Sequence, residues 1–140
     1  MDDTDRQLIA LLREDARLPV VALAQKLRVT RATVQNRLAR LQREGQILGY
    51  TVRLKPEVEA GRVRAMMSIA VEGNHAAAVR RTLWGHAHVV ALHTTNGRWD
   101  LIAELRADSL EAFDKVLNGI RQIEGIANTE TSILLATDKA

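Results

Sequence analysis

Residues 20–45, V-V-A-L-A-Q-K-L-R-V-T-R-A-T-V-Q-N-R-L-A-R-L-Q-R-E-G, leave the chain few choices. Val20, Leu23, Ala24 and Leu27 recur at helical spacing, and so do Val34, Leu38 and Leu41. Two amphipathic helices are therefore expected, hinged at Arg28-Val29-Thr30. Thr30 stands where an N-cap belongs, its hydroxyl able to accept the free amide of Thr33. Gly45 ends the second helix. Opposite the apolar stripe of that helix fall Ala32, Asn36, Arg40 and Arg43, with Thr33 beside them and Gln35 also off the stripe. Small, amide and guanidinium groups on the exposed face of a second short helix make the pattern of a helix-turn-helix.

Charge separates this face from an ordinary solvated one. Between Ala16 and Lys55 nine bases (Arg17, Lys26, Arg28, Arg31, Arg37, Arg40, Arg43, Arg53, Lys55) accompany one acid, Glu44. From Ala65 onward seven bases face nine acids. The positive excess is local, as a surface for the phosphates of double-stranded DNA requires. With no cysteine in 140 residues, a disulfide framework and a thiolate metal site are excluded. No apolar run approaches membrane-spanning length, and the start Met1-Asp2-Asp3 is unlike a signal peptide, so a cytoplasmic protein without a membrane partner is expected. Four aromatics in all argue against a stacking platform for single strands.

Around the helix pair the rest falls into order. Leu8, Leu11 and Leu12 mark a first helix over Asp3–Glu14, capped by Asp3 or Thr4, and Pro19 opens the next helix. Gln46–Leu54 alternates and reads as a wing strand. Residues 1–54 then form a winged helix-turn-helix domain, and 55–62, with a proline and a glycine, a linker. In residues 63–140, Val63, Ala65, Met67, Ile69 and Val71 alternate as a strand, and Ala76, Val79 and Leu83 mark a helix. Val89–Thr95 and Trp99–Arg106 are strands meeting at Asn96-Gly97. Leu110, Phe113, Leu117 and Ile120 trace a helix opened by Asp108-Ser109, and Ile126–Thr137 is a closing strand. The whole is an α+β chain whose second domain has the ferredoxin-like order βαββαβ. Its open sheet face, with Met66 and Ala70, invites a second copy, hence a homodimer.

Six motifs in order carry a resemblance to the Lrp/AsnC (feast/famine) transcriptional regulators over essentially the full length. They are Asp5-x-x-Leu8-Ile9; Leu23-Ala24; Val34-x-x-Arg37-Leu38-x-x-Leu41-x-x-Glu44-Gly45; Ile47-x-Gly49-Tyr50; Thr95-x-Gly97-x-Trp99-Asp100; and Thr131. The resemblance implies an N-terminal domain bound to operator DNA and a C-terminal domain that dimerises, assembles on to octamers and takes a small effector, typically an amino acid, where dimers meet. It carries effector contact to Thr95, Gly97, Trp99 and Asp100 in the hairpin and to Thr129 and Thr131 in the last strand. Three positions depart from the family. Arg28 replaces a turn glycine, at a cost of about 1 kcal/mol if left-handed, offset by an added phosphate contact. Pro19 replaces a capping serine. Trp99 replaces a smaller aromatic and narrows the pocket.

The expected DNA contacts are Arg28, Thr30, Arg31, Ala32, Thr33, Gln35, Asn36, Arg40 and Arg43. Asn36 either pairs with adenine in the major groove or is plain helix surface. Arg40 and Arg43 lie past the first turns and suit phosphates. Arg37, at the stripe's border, either faces DNA or forms an internal ion pair. Asp100 either takes the effector's ammonium or bonds hairpin amides, and Gly97 is a turn glycine whose amide could also meet a carboxylate. His86 and His88 share a strand face but lack a third ligand, so no metal is expected; His75 starts a helix, His93 is a strand or interface residue, and Trp84 packs at a helix end. No nucleophile elbow, phosphate loop or dinucleotide fingerprint is present, so neither an enzyme nor a cofactor is expected beyond the amino-acid effector. The reading is a sequence-specific transcriptional regulator. Its rivals are an amino-acid-sensing module and a chromosome-organising protein with little sequence preference.

Overall fold

The computed structural model describes residues 1–55, 58 and 62–139. Contacts within the chain gather into two compact units, Met1–Arg53 and Leu54–Ala140. The first holds three helices, α1 (Asp3–Glu14), α2 (Val20–Leu27) and α3 (Arg31–Arg43). Leu8, Leu23, Val34 and Leu41 are sealed at its centre with Ala24, and Leu11, Leu12, Leu27 and Leu38 pack around them. The cap of α1 is Asp2 rather than Asp3 or Thr4. Its carboxylate accepts the Asp5 amide at 2.9 Å, and the Asp5 carboxylate accepts the Asp2 amide at 3.2 Å, a reciprocal capping box. Pro19 is likewise the cap of α2 and not its first residue, with extended backbone and no side-chain bond.

Arg28 ends α2 in the left-handed region, φ 56° and ψ 45°. For a residue with a Cβ this costs about 1 kcal/mol, and it turns the chain into α3. Thr30 caps α3, its hydroxyl accepting the Thr33 amide at 3.1 Å. Gly45 then takes φ +73°, letting the amides of Gln46 and Ile47 reach the Leu41 carbonyl at 2.9 and 3.0 Å. The expected wing strand over Gln46–Leu54 does not form. Those residues pair with no strand among the described residues, and Leu48 and Val52 stand 94 % and 79 % exposed. Alternation supplies a strand's faces but not the neighbour that would satisfy its amides. Most of the expected linker, 55–62, lies outside the described residues.

The second unit runs β1 (Val63–Val71), α4 (Ala76–Trp84), β2 (Val89–Thr94), β3 (Leu101–Ala107), α5 (Leu110–Arg121), β4 (Ile126–Ile133). Its antiparallel sheet has the order β2-β3-β1-β4, that of the ferredoxin-like arrangement. Ala65, Met67 and Ile69 alternate onto the buried face, joined by Leu101, Ala103 and Leu105 and covered by Val79 and Leu83 of α4 and Phe113, Val116 and Ile120 of α5. Ser109 caps α5 by accepting the Ala112 amide at 3.0 Å. Leu110, expected in the buried stripe, is 65 % exposed, and the buried stripe is instead Phe113, Val116 and Ile120. On the other face lie Met66, Ser68 and Ala70 with Ile102 and Glu104 opposite.

Three local expectations are corrected. β4 stops at Ile133 instead of Thr137. His86 and His88 sit in the turn before β2, not on a strand face, with the His88 amide donating to His86 Nδ1 at 3.2 Å. Trp84 is 84 % exposed rather than packed, and lines an open hollow with Ala77, Arg80 and Arg81 of α4 and Leu92 and Thr94 of β2.

Candidate functional site

Helix α3 places its polar residues by rotation alone. Val34 and Leu41 are locked inward, so Arg31, Ala32, Gln35, Asn36 and Arg43 come out exposed and Thr33, Arg37 and Arg40 half-buried. Thr33, Asn36, Arg37, Ala39, Arg40 and Arg43 line an open concavity of about 480 Å³. Arg28 and Thr30 are exposed at the turn before it, with the Thr30 and Thr33 hydroxyls 2.9 Å apart. A helix edge bearing amide, hydroxyl and guanidinium groups around an open hollow can take a sugar-phosphate strand and reach base edges beside it.

Arg37 adopts the internal ion pair. Its Nη1 donates to both Asp2 oxygens at 2.7 Å and to Asp5 Oδ1 at 2.9 Å. Arg40, expected at a phosphate, also donates inward, through Nη2 to Asp5 Oδ2 at 2.5 Å. Asp5 has no exposed surface; burial alone would push its carboxyl up, but the Arg37 bond, the Asp2 amide and the Arg40 charge outweigh this and hold it below the ordinary carboxylate value. The Arg37 bond, helped by the Asp5 amide, lowers Asp2 to about 2, and both bonds raise Arg37. Folded carboxylates with lowered pKa contribute stability that is complete above the unfolded value, near about 4, and lost as pH falls through the folded one. The helical unit should therefore lose stability as pH falls from about 4 to about 2, seen as a falling thermal midpoint of its far-UV circular dichroism. Asp2→Asn, which keeps the cap, should show a shallower acid transition; identical slopes would mean that Asp2 takes up no proton on unfolding.

In the second unit the segment after β2 is held by its own side chains. The Thr95 hydroxyl donates to the Trp99 carbonyl at 2.5 Å and accepts the Gly97 amide at 3.1 Å, while the Thr95 amide donates to the Asp100 carbonyl at 3.2 Å. The strands expected over Val89–Thr95 and Trp99–Arg106, meeting in a tight turn at Asn96-Gly97, run instead over Val89–Thr94 and Leu101–Ala107 with a loop over 95–100 between them, and Gly97 does not use a positive φ. A threonine hydroxyl that satisfies both an amide and a carbonyl competes with ladder pairing. Trp99 lies under the Arg98 guanidinium, 5.4 Å from its ring centre. Asp100 bonds an amide, as one of its two readings had it, though not one of the hairpin: Oδ2 accepts the Val71 amide at 2.7 Å, where β1 shifts register against β4. Leu101, Ile69 and Thr129 form one row across β3, β1 and β4, and Ala103, Met67 and Thr131 another. Asp100 and Thr129 therefore share one end of the sheet, with Thr131 further in. The Thr131 hydroxyl is buried without a hydrogen-bond partner. No group of three metal-ligating side chains occurs among the described residues.

Two family models match this chain, the AsnC-type helix-turn-helix domain over residues 1–42 and the Lrp/AsnC ligand binding domain over 64–140. The chain belongs to the Lrp/AsnC family. It is a transcriptional regulator with a DNA-binding helix-turn-helix and a ligand-binding domain, and not an enzyme. An uncharacterised helix-turn-helix transcriptional regulator of Pyrococcus furiosus is 30 % identical over 135 residues, 96 % of this chain and 91 % of that one. The regulator LrpA1 of Halobacterium salinarum is 30 % identical over 134 residues, 95 % and 94 % of the two chains. The fold is shared with E. coli AsnC, TM-score 0.87 at 23 % identity over 100 % of this chain and 95 % of that one. It is shared too with a Neisseria meningitidis transcriptional regulator solved as its L-Met complex, TM-score 0.86 at 20 % identity over 100 % and 93 %. No described helix of this Lrp/AsnC chain is long and apolar enough to cross a membrane.

Sequence reasoning missed Asp2 and Asp5 as the partners of Arg37 and Arg40. The signal available was Asp2-x-x-Asp5, a capping-box spacing that puts two carboxylates at one helix end.

Proposed function

We propose that this Lrp/AsnC regulator reads duplex DNA sequence-specifically with α3, as a dimer that assembles on to octamers in the cytoplasm. In this reading residues 1–54 are the DNA-binding domain, 55–62 the linker and 63–140 the effector-binding and oligomerisation domain. The observation that carries it is the exposed edge of α3, where Thr33, Asn36, Arg40 and Arg43 surround an open hollow in the basic part of the sequence. Asn36 contacts a base edge, with Arg31, Ala32, Thr33 and Gln35 near it; Arg28, Thr30, Arg40 and Arg43 meet the backbone. The effector is an amino acid or related small molecule held between dimers against Thr95, Gly97, Trp99, Asp100, Thr129 and Thr131. The L-Met complex of the Neisseria neighbour and the unpartnered hydroxyl of Thr131 support that chemistry. Because effector sits where dimers meet, its binding favours one assembly and changes the spacing of the DNA-binding domains.

Binding-site selection followed by anisotropy titration tests the DNA reading. Asn36→Ala should relax preference at one base position, costing about 1–3 kcal/mol on the selected site, with dimerisation unchanged. Arg43→Ala should weaken all sequences alike and reduce the salt slope by about one. Uniform loss for Asn36→Ala would contradict base reading. Selection that returns no preferred sequence, with long cooperative footprints, would favour the chromosome-organising alternative; no preference together with tight amino-acid binding would favour the sensing module. A thermal-shift screen of amino acids, with assembly size measured for each hit, tests the effector.

A further inference from the structure

Asp5 is the charged side chain that is fully buried among the described residues, and it sits under the surface proposed to meet DNA. Its two carboxylate oxygens divide the work. Oδ1 accepts Arg37 Nη1 at 2.9 Å and Oδ2 accepts Arg40 Nη2 at 2.5 Å, while Asp2 covers Arg37 from the exposed side. A guanidinium is planar, with five N–H donors in a fixed fork. Anchoring one nitrogen of Arg40 on a buried acceptor therefore restricts the rotamers of the side chain and the region its other donors can reach. Those donors belong to a side chain that remains 39 % exposed and lines the α3 concavity with Thr33, Asn36 and Arg43. A long side chain already held in one rotamer loses less entropy on meeting a phosphate than a free one.

We propose that Asp5 is a positioning residue for DNA binding, its buried carboxylate fixing the Arg40 guanidinium on the wall of the concavity so that the remaining N–H groups meet a duplex phosphate. This rests on the reading of α3 as the DNA-facing helix. Asp5 itself touches no nucleic acid. The proposal makes a prediction opposite in sign to plain electrostatics. Deleting a negative charge beside a polyanion site strengthens binding through charge alone; deleting a positioning group weakens it.

The experiment is fluorescence anisotropy of a labelled mixed-sequence duplex over a range of KCl concentrations, with full-length protein well below its melting temperature. Asp5→Asn should raise the dissociation constant about tenfold and flatten the salt slope by about one, as Arg40 leaves its phosphate. Asp5→Glu, which restores the charge, should recover part of the slope. Should Asp5→Asn fail to fold, Arg37→Met is compared with the double variant Asp5→Leu/Arg37→Met. Both keep Arg40 and Arg43, and apolar replacement of a buried ion pair is commonly tolerated. The double variant should bind about tenfold more weakly than the single. Equal or tighter binding with an unchanged slope, in either comparison, overturns the positioning role. A wild-type protein whose duplex binding shows no salt dependence would overturn the DNA-facing reading of α3 as well, which separates the two failures.

Discussion

Gly125→Ala should cost the second unit about 3 kcal/mol, the sum of a left-handed backbone penalty and overpacking. Gly125 has φ +97°, and a Cβ built there would stand 2.3 Å from His75 Cβ, 2.7 Å from His75 Cγ and 3.3 Å from Val79 Cγ2. The His75 Cβ, fixed to its backbone, cannot swing clear. His75 is the cap position of α4, Val79 is fully buried, and the Gly125 carbonyl accepts the Glu72 amide at 2.9 Å just before that helix. The chain before β4 and the start of α4 meet here with no space for a methyl group. Both tryptophans, Trp84 and Trp99, belong to this unit, so the urea midpoint of tryptophan fluorescence reads the loss directly. Gly119→Ala is the control. That glycine lies within α5, with open space around a built Cβ, and alanine there should add about 0.5–1 kcal/mol through helix propensity. Equal midpoints for the two variants would mean that the backbone near Gly125 relaxes freely.

Leu41→Ala should cost the helical unit about 3 kcal/mol, within the range for emptying a sealed leucine site. Leu41 has no exposed surface and packs in the cluster of Leu8, Leu23, Ala24 and Val34. Its carbonyl also receives the two amides that end α3, so the side chain anchors the residue on which the helix terminates. A unit the size of Met1–Arg53 holds only about 3–8 kcal/mol in all. The variant should therefore populate unfolded helices near physiological temperature and lose duplex binding, while tryptophan fluorescence of the second unit is unchanged. Helical circular dichroism followed against temperature checks this. A melt within about 2 °C of wild type would show that the neighbouring leucines close the gap.

What the sequence reached is short-range. The three helices, the Thr30 and Ser109 caps, the stop at Gly45 and the alternation of β1 were legible, because each is an interaction among residues a few positions apart. Helical rotation also brought Thr33, Asn36, Arg40 and Arg43 to one side of α3. The family motifs gave the order of the two domains for the same reason, as spacing along the chain.

The Asp2–Asp5 capping box and the loop held by Thr95 are short-range too, yet were placed wrongly; the long-range pairings were decided by tertiary structure. Asp5 pairs with arginines 32 and 35 positions away, and no local rule selects those two cations from nine in the same basic stretch. Gln46–Leu54 alternates as a strand does, yet a strand exists only where a second backbone accepts its amides. Asp100 bonds the Val71 amide, 29 positions distant, because β1 and β3 are neighbours in the sheet and β1 slips register there. A sequence by itself determines periodicity and caps, which are short-range; which charge meets which, and which edge finds a partner, depends on the packing that brings distant residues together.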